Sequence, residues 1–131
     1  ILALMHILYA DDNAIFRQKA RALAVKRVTP LLATVIRQGI QEGVSTTAYP
    51  DQVGEVVLSL VLDFGDAVAG LLLSWKPERD EYHRVERTVA AYTETLERAL
   101  GAPAGSLPLA DDQTLRLWFV EPGDKEAETK P

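Results

Sequence analysis

No cysteine occurs among the 131 residues, and there are only two histidines, one methionine and two tryptophans. Without cysteine there can be no disulfide, no thiolate metal ligand and no cysteine nucleophile, a composition that suits a reducing cytoplasm. The chain also lacks a glycine-rich phosphate loop, a G-x-S-x-G nucleophile turn and any internal repeat. The usual sequence marks of nucleotide binding and serine hydrolysis are therefore missing. The opening segment "ILALMHILYA" has neither a basic leader nor a small-residue cleavage site, so it reads as helix rather than signal peptide.

Positive charge is also short, with 14 basic against 19 acidic residues and a net charge of -5. An acidic surface repels a nucleic-acid backbone unless basic groups are gathered locally. Some are gathered: Asn13 to Gln41 holds six basic residues and no acidic one, whereas Glu42 to Pro131 holds eight basic and seventeen acidic. A basic helix lying beside acidic neighbours accounts for this asymmetry as well as a nucleic-acid face does. Hydrophobic residues at 47% and charged residues at 25% match an ordinary globular chain, which predicts one domain over 1–120. From Glu121 the tail "EPGDKEAETKP" has almost nothing apolar to bury and is expected to be disordered.

Helical periodicity dominates, and no segment before Leu107 alternates strictly as a half-buried strand does. The fold class is all-α, a bundle of about five to six helices. A first helix ends near "YADDN", whose Asp11, Asp12 and Asn13 offer capping chemistry to a second helix over roughly Ala14 to Val28. Thr29-Pro30 is expected to restart the helix, threonine as cap and proline in the first turn. That third helix should stop at Gly43, and Pro50 should open a long helix to about Trp75. A further helix is expected from about Arg79 to Leu100, ended by Gly101. For "DDQTLRLWF" both strand and helix spacing fit, and a short helix capped by Asp111 or Asp112 is favoured. The chain opens on Ile1 inside an apolar pattern, which suggests that further sequence precedes it.

The helix from Pro50 carries the longest apolar run, "LVLDFGDAVAGLLL", interrupted by Asp63 and Asp66. At about 100° per residue both aspartates fall with Gln52, Glu55, Ser59, Gly70 and Ser74 on one polar stripe. The apolar residues span about 240° of the wheel, far beyond the roughly 100° that one-sided burial needs. Such a helix must be covered on two sides, by a central position or by a second subunit. The run is long enough for a membrane span, but two aspartates near its middle cost about 2.5 to 3.5 kcal/mol each, so no membrane is expected. The helix after it has one narrow apolar stripe, including Tyr82, Val85, Val89, Tyr92 and Leu96. An intersubunit four-helix bundle made by these two helices predicts a dimer interface of Leu58, Leu62, Gly65, Ala69, Val85, Val89, Tyr92 and Leu96.

No reactive set converges. Asp63 and Asp66 lie on a polar stripe rather than in a buried pair, His83 sits in the charged first turns of a helix, and a bundle metal site would require paired Glu-x-x-His motifs. Catalysis, metals and cofactors are not expected. His6 stands alone in an apolar segment with Tyr9 one turn on, either as a satisfied core pair or as an anchor of an apolar ligand pocket. Met5, His6, Tyr9, Phe16, Ile36, Phe64 and Trp75 are the candidate lining of such a pocket, although aromatic core packing would employ the same residues.

The segments from Thr29 to Leu73 contain an apolar helix ending Ile36-Arg37-Gln38-Gly39-x-x-Glu42-Gly43, a short polar loop, and Pro50 opening a long apolar helix. This pattern resembles the C-terminal regulatory domain of TetR-family transcriptional regulators, with Ser45 and Tyr49 standing where an aromatic and an acidic cap are common. The resemblance implies a homodimer that binds a small lipophilic effector and reaches operator DNA only through an N-terminal helix-turn-helix, which is not seen in this sequence. It also implies a cytoplasmic regulator, most often a repressor, whose effector changes the separation of two DNA-reading heads. A helical homodimeric interaction module without a small-molecule ligand would show the same apolar pattern.

Overall fold

The structure, a computed structural model, describes residues 2–119. Among these residues there is no strand. Five α-helices follow in order: α1 (Leu2–Leu8), α2 (Ala14–Gln41), α3 (Pro50–Leu73), α4 (Arg79–Leu100) and α5 (Asp112–Trp118), with a 3-10 turn at Asp11–Asn13. The expected tail at 121–131 lies outside the described residues.

Local signals end most helices where the sequence indicates. Gly43 and Gly101 take the left-handed conformation at φ 77° and 63°, where a side chain would be strained. Pro50 opens α3 in its first turn, where its missing N–H has no partner to lose. Asp111 caps α5 by accepting the Thr114 N–H at 2.7 Å, and hydrogen bonds from Thr114, first its N–H and then its side chain, hold the carboxyl below the ordinary range.

Two expectations are corrected. Thr29-Pro30 does not restart a helix, because Pro30 lies inside the continuous α2. The Thr29 hydroxyl does no capping; it is buried without a hydrogen-bond partner. Proline removes one helical hydrogen bond, but both halves of α2 pack along α3, and that shared burial opposes a break. The contact is close: a Cβ at Gly54 would stand 3.3 Å from the Ala33 nitrogen and 3.5 Å from the Thr29 carbonyl. Asn13 occupies the N-cap position of α2, yet its side chain does not cap that helix. It instead donates to the Ile7 carbonyl at 2.6 Å, so that it closes the end of α1.

Helix α3 is central, in contact with α1, α2 and α4. Its wide apolar arc is covered only in part by the same chain: Val57, Leu58, Phe64, Val68 and Ala69 are buried, whereas Leu60, Leu62 and Leu71 are half-buried and Val56 and Val61 stay exposed. The core joins Phe64 and Val68 of α3, Tyr82, Val85 and Val89 of α4, and Leu115 and Phe119 at the end of the described chain. Helix α4 turns its narrow apolar stripe inward, as its periodicity requires.

The loop between α2 and α3 is tied to the end of α4. Ser45 is buried and donates from Oγ to the Leu100 carbonyl at 2.6 Å, and the Thr46 N–H donates to the same carbonyl at 3.1 Å. These bonds satisfy a helix-end acceptor that would otherwise be orphaned. They also explain a serine at this position, since an aromatic ring could not make the Oγ bond. On the same end, Glu97 accepts the Leu107 N–H at 3.0 Å and pins the Pro/Gly connection to α4.

Candidate functional site

A cavity of about 860 Å³ lies over the second half of α3. Helix α1 supplies Leu2, Met5 and His6, Tyr9 follows it, and α3 supplies Phe64, Gly65, Val68, Ala69, Leu72 and Leu73. Trp75, just after α3, and Trp118 of α5 complete the lining. Leu2, His6 and Trp118 are exposed, so the cavity has an open rim. Its size falls within the roughly 300–1,000 Å³ of small-molecule pockets, and its wall is mostly apolar with a few polar atoms, as such sites are.

The α1 helix owes its presence here to a short polar network. The Tyr9 hydroxyl donates to Asp66 Oδ1 at 2.8 Å, and Arg21 of α2 donates to Asp66 Oδ2 at 3.0 Å. Arg17 stacks over the Tyr9 ring at 5.3 Å and donates to the Leu8 and Ala10 carbonyls at 2.6 and 3.0 Å. Burial, and after it the bond to Asp66, raises the Tyr9 phenol above its ordinary value of 10.0. Asp63, one turn earlier on the same polar stripe, accepts from the Tyr92 hydroxyl, whose ring tilts against Phe64 at 5.4 Å. Both aspartates of the apolar run are exposed and each is engaged by a tyrosine from elsewhere in the chain. Among the described residues no cluster of His, Asp and Glu could hold a metal ion.

Of the residues singled out for ligand binding, Met5, His6, Tyr9, Phe64 and Trp75 line this one cavity. Phe16 does not; it is 62% exposed and borders a smaller, neighbouring cavity of about 560 Å³ together with Tyr9, Arg17, Arg21, Leu62 and Asp66. Ile36 lines neither of the two and is buried among residues between α2 and α3. Trp118, Leu72 and Leu73 were not picked out from sequence. The wheel of α3 places the two leucines on its apolar arc without saying which neighbour stays away, and only the path of the chain brings Trp118 back to α3.

Of the residues singled out for a dimer interface, Leu58, Ala69, Val85, Val89 and Leu96 are buried within the single chain, Val85 completely. Leu62 and Tyr92 are half-buried. Gly65 is exposed, with nothing within 4 Å of where a Cβ would stand, and it forms part of the cavity wall.

A family model described as "Tetracyclin repressor-like, C-terminal domain" matches residues 5–95, more than half of the chain. The chain belongs to that family. Neither a curated protein nor a solved structure gave a match. Helix Pro50–Leu73 has the length and apolar composition of a membrane span. Its aspartates, however, are hydrogen-bonded to Tyr9, Arg21 and Tyr92 from elsewhere in the chain.

Proposed function

We propose that this domain is the effector-sensing and dimerising part of a TetR-like transcriptional regulator, a cytoplasmic repressor that releases its operator when a small lipophilic molecule enters the cavity over α3. The observation that carries the reading is the cavity itself, where Met5, His6, Tyr9, Phe64 and Trp75 converge from α1, α3 and the segment that follows α3. Operator contact belongs to a helix-turn-helix unit expected ahead of this domain. An effector acts by binding one arrangement of the domain better than another, and the shift it causes is limited to that difference in affinity. Helix α1 contributes three lining residues yet has no buried residue of its own, so an occupant would add to the little that holds it in place.

Both tryptophans of the chain, Trp75 and Trp118, line the cavity, so intrinsic fluorescence reports on this site. A screen of small lipophilic compounds should give hits that raise the melting temperature and change tryptophan emission together. Hits that move neither, or no hits at all, would favour an interaction module without a ligand. The homodimer is tested by light scattering at micromolar concentration, where twice the single-chain mass is expected and a monomer would count against it.

A further inference from the structure

We infer that the smaller cavity beside Tyr9 binds an apolar monoanion, of which a carboxylate is the simplest kind, and that Arg17 anchors it. This site shares Tyr9 with the cavity over the second half of α3 but does not rest on the effector reading proposed above. It holds about 560 Å³ between the end of α1, the first half of α2 and the middle of α3. Leu8, Phe16, Ala20, Ala24 and Leu62 give it an apolar wall, and its charged lining residues are Arg17, Arg21 and Asp66. No lysine or arginine lines the larger cavity.

The three charges are not equivalent. Arg21 and Asp66 are paired at 3.0 Å and offset each other. Arg17 has no such partner. Its Nη1 donates to the Leu8 and Ala10 carbonyls, which are neutral, and among the described residues no carboxylate stands within ion-pair distance of it. Asp11 and Asp12, the acids nearest to it in sequence, are exposed and do not line the cavity. Helix α2 itself brings six basic residues and no acid. The cavity wall therefore carries one positive charge in excess.

Arg17 is half-buried, and its guanidinium lies over the Tyr9 ring at 5.3 Å. The stack and the two carbonyl bonds fix the group, while Nη2 and Nε donate to no described residue. A half-buried guanidinium has given up part of its hydration without gaining a counter-charge, so an anion that meets it offsets that cost. A carboxylate accepts two parallel bonds from one edge of such a planar fork. The hydrocarbon part of the guest then has Phe16, Ala20 and Leu62 to lie against. A cation of the same shape meets the Arg17 charge instead, and the carboxylate of Asp66 is already matched by Arg21.

Octanoate, 1-octanol and octylammonium share one chain and differ in the charge of the head, which makes them the probes. Each is to be titrated calorimetrically at pH 7.5, where the acid is ionised and the amine protonated, into the intact chain and into Arg17→Gln, Arg17→Lys, Ala20→Leu and Gly65→Leu. Octanoate should bind most tightly and octylammonium least. In Arg17→Gln the ratio of octanoate to octanol affinity should fall about threefold to tenfold, between the worth of an exposed ion pair and that of a charged hydrogen bond, and Arg17→Lys should keep most of it. Ala20→Leu, whose side chain would enter the smaller cavity, should weaken octanoate by a similar factor, whereas Gly65→Leu, which enters the larger one, should leave it unchanged. An unchanged ratio in Arg17→Gln overturns the anchor, and octylammonium binding as tightly as octanoate overturns the charge preference. Octanoate binding lost in Gly65→Leu but kept in Ala20→Leu overturns the location. If a thermal melt shows Arg17→Gln unfolded, Arg17→Lys and Ala20→Leu still decide. Failure of octanoate to bind the folded chain overturns this site, while octanol binding that Gly65→Leu abolishes leaves the effector reading standing.

Discussion

The Tyr9 hydroxyl, just past the end of α1, and the Asp66 carboxylate of α3 meet at 2.8 Å and fasten the end of α1 to α3. Tyr9→Phe should therefore loosen α1 with little effect on the rest. The bond is exposed, so the expected loss is about 1 kcal/mol or less. Hydrogen exchange should quicken over Leu2–Leu8 and stay unchanged over α4. Equal quickening in both helices would show that α1 is held by something other than this bond.

The same pair predicts an alkaline limit. Burial raises the Tyr9 phenol, and the bond to Asp63 raises that of Tyr92, both above the ordinary 10.0. A raised folded-state pKa means that the stabilisation is complete below the unfolded value and is lost as pH climbs through the folded one. Stability measured by urea denaturation should fall above pH 10, and less steeply in a Tyr9→Phe, Tyr92→Phe double variant.

An acid limit follows from Glu97 by the opposite sign. The N–H groups of Leu107 and then Gly105 hold its carboxyl below the ordinary 4.5. This contribution is present above the unfolded value and is lost as pH falls through the lowered one. Glu97→Gln should flatten the decline in stability on the acid side of pH 4.5, and an identical acid limb in the variant would remove Glu97 from the explanation.

Two glycines of α3 should respond with opposite signs. Gly54 is pressed against the α2 backbone, so Gly54→Leu should force the helices apart and cost about 1–3 kcal/mol. At Gly65 a Cβ meets nothing within 4 Å, so Gly65→Ala should gain up to about 1 kcal/mol from helix propensity. Denaturation midpoints check both, and Gly65→Leu should in addition weaken ligand binding, since its side chain would enter the cavity.

At the other end of the core, Gly101→Ala meets two obstacles. Its φ of 63° disfavours any side chain, and a Cβ would fall 1.9 Å from Thr46 Oγ1. A loss of at least about 1 kcal/mol is expected from the backbone alone. Thr46→Ala in the same chain should recover part of it by removing the clash, an effect that additive behaviour of the two changes would contradict.

Helix ends were legible because a few residues decide them locally. Gly43, Pro50, Gly101 and Asp111 act through left-handed backbone, a missing donor and a side-chain cap, none of which depends on distant neighbours. The polar stripe with Asp63 and Asp66 was legible for the same reason, because helical spacing alone puts both on the exposed side. The sequence by itself thus determined the all-α class, most of the helix limits, the family pattern and five of the cavity's residues. Tertiary structure decided the rest. It kept α2 continuous through Pro30, because burial along α3 on both sides outweighs one lost hydrogen bond. It placed Val85, Val89 and Leu96 in the chain's own core, and it brought Trp118 to the cavity. An apolar stripe states that something must cover it, and only the path of the whole chain determines which element does.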